Sequence, residues 1–161
     1  MTMETLEFKR WELAFDSAAT RQAYAQLESG SAEQCGCDYC LNFAVVRDRA
    51  YPMVVLDLFE QLGVDYRKEA ECYQTYRERP GHHLYGWWLH FVGHIVSGHD
   101  VSVPTGDDTR RLELVSVTDN FEIGFTERTE LVWEALTERP LVQVEFQAYL
   151  PWMLEGVEEP E

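Results

Sequence analysis

The chain has 161 residues, of which 45% are hydrophobic and 13% aromatic, so it has the size and apolar content of one domain with a buried core. Its 13 Lys and Arg residues against 29 Asp and Glu residues give a formal net charge of −16. That charge predicts repulsion from nucleic acid and from anionic membrane surfaces, which excludes simple polyanion binding as a function. The hydrophobic content argues against intrinsic disorder, and we expect residues 1–161 to form a single domain.

The first half of the sequence predicts one strand and then a series of helices. Residues 6–15 are rich in Phe, Trp and Leu, which favours a strand. Asp16 or Ser17 provides a cap for the first helix, while Pro52 and Gly63 are typical of a helix start and a helix stop. Helical spacing of apolar residues predicts four helices, over residues 18–28, 38–49, 52–62 and 67–79.

After Gly81 the apolar period changes from that of a helix to the period of two that is typical of a strand. Strands are predicted over residues 85–95, 112–117, 121–126 and 141–150, with a short helix over 129–136. Asp119 and Asn120 fit a hairpin turn between the second and third of these strands. Helices in the first half and strands in the second indicate an α+β fold. Its sheet would be mostly antiparallel, formed by the N-terminal strand and the C-terminal half, with the N-terminal helices packed on it.

Three of the four cysteines, Cys35, Cys37 and Cys40, lie in one six-residue segment, and Cys72 is distant in sequence. Thiolates are strong zinc ligands, and a structural zinc ion takes four ligands in a tetrahedron. A CxC step followed by CxxC can place three sulfur atoms around one ion. We therefore predict a Zn²⁺ site formed by these three cysteines and Cys72. A histidine or Asp38 is the alternative fourth ligand.

The same cysteines allow two other interpretations. Cys37 and Cys40 form a CxxC at a predicted helix start, where the helix dipole lowers a thiol pKa and favours redox chemistry. The βαβ context of thioredoxin-like proteins is absent, however, and Asp38 would oppose a thiolate. Free cysteines are also small core hydrophobes, so idle thiols are the third interpretation.

All five histidines lie in the segment from His82 to His99. His90 and His94 form an HxxxH pair, which on a helix would put both rings on one face. Because this segment is predicted as a strand, the four residues span about 13 Å and the two rings are too far apart to share one ion unaided. His90, His94 and His99 are therefore weak candidates for the acid–base residues of an enzyme, lining a pocket with Trp88. The alternative is an ordinary half-buried sheet face.

Several residues of the predicted sheet are expected to point away from the core. Trp87 belongs to the core face, so its neighbour Trp88 lies on the opposite face, where we expect a helix to cover it. Gln143 and Glu145 are expected on that outward face as well. Residues 155–161 contain four Glu and no basic residue, which predicts a solvated acidic tail.

Motifs of common enzyme classes are absent from the sequence, which has no GxGxxG, GxxxxGKS/T or GxSxG segment. Neither a signal peptide nor a membrane span is recognisable, so a cytoplasmic protein is expected. The sequence predicts a zinc-binding domain that acts by binding an unidentified protein or small ligand. Two alternatives stay open: an acidic inhibitor or immunity-type protein for a basic partner, and an enzyme that uses the segment His82 to His99.

Overall fold

Strands outnumber helices in the structure, a computed structural model that describes residues 3–161. The strands are β1 (Glu4–Phe8), β2 (Trp11–Phe15), β3 (Glu71–Arg79), β4 (His82–Ser97), β5 (Ser102–Pro104), β6 (Arg110–Leu112), β7 (Val115–Thr118), β8 (Phe121–Thr126) and β9 (Leu141–Leu150). The helices are α1 (Ser17–Tyr24), α2 (Ser31–Cys35), α3 (Asp38–Ala50) and α4 (Met53–Leu62), with a 3-10 turn at Glu134–Leu136. Within residues 3–161, no helix combines the length and the apolar character needed to cross a membrane. The order of elements confirms the predicted α+β class.

Seven strands form one antiparallel sheet in the order β1-β2-β4-β9-β8-β7, with β3 also paired to β4. The central strand is β4, which is 16 residues long. Its residues 83–92 pair with β9 along one edge, and its two ends pair with β3 and β2 along the other. β5 and β6 form a separate two-stranded sheet. The prediction of a mostly antiparallel sheet is therefore confirmed.

The helices pack on one face of this sheet, where alternate residues of β4, β8 and β9 are apolar. The fully buried side chains of this face include Tyr85, Trp87, Leu89, Phe91, Ile123, Phe125, Val142 and Val144. Phe43 of α3 lies 5.1 Å from Trp87, and Phe59 of α4 lies 5.6 Å from Phe146, measured between ring centroids. This face is the main hydrophobic core, and its burial supplies most of the driving force for folding.

Residues of α1 fill the gap between β3 and β2 on the edge of β4. Asp16 N donates to Val92 O at 2.9 Å, and Thr20 Oγ1 accepts from Val92 N at 3.0 Å. Tyr24 Oη donates to His90 O at 2.8 Å and accepts from His90 N at 3.2 Å. These bonds satisfy backbone groups that would otherwise be buried without partners, so α1 is fixed against the middle of the sheet.

Two predicted elements of the N-terminal half are wrong. The single strand predicted over 6–15 is the β1–β2 hairpin, because the chain reverses near Lys9, whose φ of 54° is left-handed. The helix predicted over 67–79 is instead strand β3, in which Cys72 pairs in register with Trp87. The β3 segment contains two Tyr and one Thr, residues that strands favour. Pairing with β4 therefore overrides the helical spacing of this segment.

The remaining element predictions agree more closely with the structure. Asp16 caps α1, and its side chain accepts a hydrogen bond from Ala19 N at 3.0 Å. Helix α4 follows Pro52 and stops before Gly63, as predicted, and α3, β8 and β9 also lie in their predicted positions. The helix predicted over 129–136 is reduced to the single 3-10 turn.

The acidic C-terminal stretch contacts the β3–β4 hairpin through Glu159 and Pro160, whereas Glu155, Glu158 and Glu161 are exposed. Glu159 Oε1 accepts hydrogen bonds from Gly81 N and from His83 Nε2, both at 2.7 Å. Arg77 Nη1 donates to Pro160 O at 3.0 Å. The bond from Gly81, followed by that from His83, lowers the pKa of the Glu159 carboxyl. The end of the chain therefore closes the β3–β4 turn.

Candidate metal centre

Three elements carry the four cysteines. Helix α2 ends at Cys35, and Gly36 then turns the chain with a left-handed φ of 71°. Cys37 is the N-cap of α3, and its Sγ accepts a hydrogen bond from Cys40 N at 3.5 Å. Cys72 lies on β3. A tight turn and a helix start thus gather three thiols, and strand pairing supplies the fourth.

Three of the four sulfur atoms form a compact group. Those of Cys35, Cys37 and Cys40 all lie within 4.8 Å of one another. Cys72 Sγ lies 3.8 Å from Cys40 Sγ. A tetrahedral zinc ion with Zn–S bonds of about 2.3 Å holds its sulfur atoms about 3.8 Å apart. The clustered cysteines could therefore hold a metal ion, and the predicted fourth ligand lies in contact with one of them.

Burial divides the four thiols into two pairs. Cys40 and Cys72 are buried, whereas Cys35 and Cys37 are exposed, and all four are free thiols. Burial raises the pKa of the Cys40 thiol and brings that of Cys72 to about 12. Hydrogen bonding to the Cys37 backbone, the largest influence, lowers the pKa of Cys35. The buried thiols ionise near neutral pH only if a nearby cation offsets the cost of burial, and a bound metal ion would provide that charge.

A buried ion network joins the three elements that carry the cysteines. Arg47 of α3 donates to both carboxylate oxygens of Glu69 at 3.1 Å and to Glu33 of α2 at 3.0 Å. Glu69, which precedes β3, accepts from Ala32 N through its side chain and from Ser31 N through its backbone, both at 3.0 Å. Because Glu69 is fully buried, these bonds fix the relative positions of α2, α3 and β3.

Local sequence patterns do not mark this network as part of the site. The available signal for Arg47 is its spacing, since it lies four residues after Phe43 and therefore on the buried face of α3. No comparable local pattern marks Glu69, because its burial depends on contacts with α2 and α3. A positioning role of this kind is visible only once the elements are packed together.

The structure places the three candidate histidines in three separate surroundings. His90 is fully buried, and its Nε2 lies 2.9 Å from Gln143 Oε1. His94 is exposed on the same strand. His99 stacks on Trp11 with the ring centroids 5.5 Å apart. The three rings do not converge on one ion or one substrate, so their placement gives the enzyme alternative no support.

The sheet face opposite the helices is covered by a second layer. Gln143 and Glu145 point away from the helices as predicted, yet they are only 2% and 5% exposed. Trp88 is covered by the loop after β8 and not by a helix, because its Nε1 donates to Glu130 O at 3.0 Å. Residues of β5 and β6 border the same cavity as these side chains. The sequence predicts cover on this face only at Trp88, and by a helix, because strands of three residues such as β5 and β6 leave no clear local pattern.

The cysteine cluster is the feature of this chain whose chemistry is best defined, because three thiols lie close enough to contact one ion. The chain matches no protein-family model, no curated protein and no solved structure. The candidate ligands are therefore assigned on geometry and donor chemistry.

Proposed function

We propose that the protein binds one Zn²⁺ through Cys35, Cys37, Cys40 and Cys72, and that the ion stabilises the junction of α2, α3 and β3. The observation that supports this proposal is the position of the sulfur atoms. Three lie within 4.8 Å of one another, and the fourth lies 3.8 Å from Cys40 Sγ. Four protein ligands leave no open coordination position, so the ion has a structural role.

Zinc suits this set of ligands for two reasons. Four soft thiolates in a tetrahedron are typical of zinc or iron–sulfur centres, and zinc needs no second metal or sulfide to complete the site. We place the protein in the cytoplasm, where reducing conditions keep thiols available for metal binding. The zinc-stabilised domain would act by binding a protein or a small ligand.

Elemental analysis of the purified full-length protein tests the proposal directly. We expect about one zinc per chain. The variants Cys40→Ser and Cys72→Ser should lose the metal, since each removes a buried sulfur ligand. If the ion contributes about 3 kcal/mol, chelation should lower the Tm of the unchanged protein by roughly 10 °C.

The variant Asp38→Asn is the matched control, because Asp38 lies between two of the cysteines and offers a carboxylate as a ligand. It should keep the zinc if Cys72 is the fourth ligand. Replacing zinc by Co²⁺ should give the intense visible absorption of a tetrahedral thiolate complex. A protein that contains no metal, takes up neither ion and shows four titratable thiols would contradict the proposal.

One observation favours redox chemistry as a second candidate function. Cys35 is exposed, its pKa is lowered, and its sulfur lies within 4.8 Å of that of Cys37. In its thiolate form Cys35 can attack glutathione disulfide, which releases one glutathione and forms a mixed disulfide with the other. The Cys37 thiolate can then attack Cys35 Sγ of this mixed disulfide, which releases the second glutathione and leaves a Cys35–Cys37 disulfide. Mass spectrometry after equilibration with glutathione disulfide separates the two functions. A loss of two hydrogens from a zinc-free protein would support the redox role.

A further inference from the structure

A cavity lies on the sheet face opposite the helices, and Tyr73, which follows Cys72 on β3, is part of its lining. It has a volume of about 200 Å³ and lies between β9 and the small β5–β6 sheet. The residues that define its chemistry are Tyr73, Trp88, Arg110, Arg128, Gln143 and Glu145. Its volume is below the roughly 300–1,000 Å³ of pockets for drug-sized ligands, so it suits a molecule with a single ring.

The charge around this cavity is opposite to that of the chain. Residues 81–161 contain 15 acidic residues and only four basic residues, namely Arg110, Arg111, Arg128 and Arg139. Three of these four line the cavity, where the only acidic side chains in the lining, among residues 3–161, are Glu130 and Glu145. A cluster of guanidinium groups in the most acidic half of the sequence favours an anionic ligand.

Two of the arginines are available to bind such a ligand. Arg110 is braced against β5, since its Nε donates to Ser102 Oγ at 2.7 Å and its Nη2 donates to Ser102 O at 2.9 Å. These bonds leave its Nη1 without a protein partner among residues 3–161. Within the same described residues, the exposed side chain of Arg128 makes no hydrogen bond or ion pair. One guanidinium is thus held in place, and the other is free to close on a ligand.

Two aromatic side chains form the wall of the cavity. The rings of Tyr73 and Trp88 lie 6.3 Å apart at an angle of 62°. Gly86 makes room for Tyr73, because a Cβ at this position would come within 2.4 Å of the Tyr73 ring. The Trp88 indole is fixed by its hydrogen bond to Glu130 O at 3.0 Å. The wall therefore offers two flat apolar surfaces in set orientations.

Two buried polar side chains form the base of the cavity. Gln143 Nε2 donates to Glu145 Oε1 at 2.6 Å, and Gln143 Oε1 accepts from Glu130 N at 2.8 Å and lies 2.9 Å from His90 Nε2. Burial raises the pKa of Glu145 to about 7. Near neutral pH the Glu145 carboxyl is therefore protonated in a large fraction of molecules, and in that form it does not repel an anion.

We propose that this cavity binds a small aromatic anion. Its ring would lie against Trp88 and Tyr73, and its carboxylate or phosphate group would be held by Arg110 and Arg128. Guanidinium groups recognise both kinds of anion through paired hydrogen bonds. The protonated Glu145 carboxyl would donate a further hydrogen bond to the ligand.

NMR titration of the purified protein with simple probes tests this proposal. Benzoate and phenyl phosphate should shift the indole N–H signal of Trp88, which the variant Trp88→Phe identifies by its absence. Benzyl alcohol and benzylammonium have the same ring without the negative charge and should bind at least about tenfold more weakly. Equal binding of benzyl alcohol, preferential binding of benzylammonium, or no binding of either anion would overturn the proposal.

The variant Arg128→Ala should weaken benzoate binding at least about tenfold, and Arg128→Lys should restore part of it. Arg139→Ala is the matched control, because it removes the one basic residue of residues 81–161 that does not line the cavity. Unchanged thermal unfolding of all three variants would show that the fold is intact. Equal benzoate affinity of Arg128→Ala and Arg139→Ala would contradict the role of Arg128.

The pH dependence of binding provides an independent readout. The charged and titratable groups around Glu145 are Tyr73 on β3, His90 on β4 through Gln143, Arg110 and Arg111 on β6, and Arg128 and Glu130 in the loop after β8. Because Glu145 loses its proton near pH 7, benzoate should bind about tenfold more tightly at pH 6 than at pH 8. In Glu145→Gln this difference should fall below about twofold. A profile that is unaffected by the substitution would show that Glu145 takes no part.

Discussion

Glu145 and His90 show how burial sets the chemistry of single side chains on the covered sheet face. Burial lowers the pKa of His90 to about 4 and raises that of Glu145 to about 7. Gln143 connects them, because its amide group contacts His90 Nε2 at 2.9 Å and Glu145 Oε1 at 2.6 Å. The connected side chains of His90, Gln143 and Glu145 are therefore mainly uncharged in mildly acidic solution. They acquire a buried negative charge, on Glu145, as the pH rises through about 7.

Replacing Glu145 by Gln should stabilise the protein at alkaline pH. The pKa of Glu145 is raised from 4.5 to about 7 on folding, so its contribution to stability is present below pH 4.5 and is lost as the pH rises through 7. Glutamine carries no such penalty. At pH 8 the free energy of unfolding of Glu145→Gln should exceed that of the unchanged protein by about 3 kcal/mol, with little difference at pH 4.

Denaturant unfolding at pH 4 and at pH 8 measures this difference. The control is Glu155→Gln, a variant at an exposed position. The control should follow the unchanged protein at each pH. Equal stability of Glu145→Gln and the control at pH 8 would show that the Glu145 carboxylate is better solvated than its burial indicates.

At the scale of elements, the candidate metal centre depends on how α2, α3 and β3 are held together. Arg47 contacts Glu69 and Glu33, and thereby connects all three elements through one guanidinium group. Burial raises the pKa of the Glu69 carboxyl, and the charge of Arg47 opposes that rise. Removing Arg47 would therefore leave a buried carboxyl without its cation.

The variant Arg47→Met should lower the free energy of unfolding by about 3–5 kcal/mol, because breaking a buried ion pair from one side leaves the other charge uncompensated. Adding Glu69→Gln should recover part of the loss, since it removes that charge. Arg49→Met, an exposed position on the same helix, is the control and should be nearly neutral. Denaturant unfolding at neutral pH measures the free energy of unfolding of all three variants. Equal losses for Arg47→Met and Arg49→Met would refute the role of Arg47 in holding the elements together.

At the scale of the whole molecule, the charge is unevenly distributed along the chain. Residues 81–161 carry a net charge of −11 and residues 1–80 a net charge of −5. The strand-rich half and the docked C-terminal stretch therefore carry most of the negative charge. A basic protein partner remains the alternative function for this surface, and its binding would weaken sharply with salt.

The net charge predicts that the protein does not bind duplex DNA, because too few cations are available to neutralise phosphates. Fluorescence anisotropy of labelled DNA at low salt should show no change with added protein. Polylysine is the positive control, and it should bind the labelled DNA at low salt and dissociate from the DNA as the salt concentration increases. Saturable DNA binding at low salt would contradict this expectation.

Much of the fold could be predicted because local patterns dominate in those elements. The capped helix α4 and the alternating strand β9 were located from their own residues, and the α+β class followed from their order. Strand β3 could not be predicted from its own residues, because its conformation is decided by hydrogen bonds to β4. The burial of Gln143 and Glu145 on the outward face could not be predicted, since alternation shows that two faces differ but not what packs on the outer one.

The sequence by itself determined that three thiols would lie together, because six residues of backbone, a glycine turn and a helix start confine Cys35, Cys37 and Cys40 to one place. Only the tertiary structure decided that Cys72 Sγ lies 3.8 Å from Cys40 Sγ, since this depends on the pairing of β3 with β4. The tertiary structure also decided that His90, His94 and His99 lie in separate surroundings. It further decided that Arg110, Arg111 and Arg128 line one cavity. The physical reason is the same in each case: local spacing restricts neighbours along the chain, whereas contacts between distant segments depend on how sheet and helices pack.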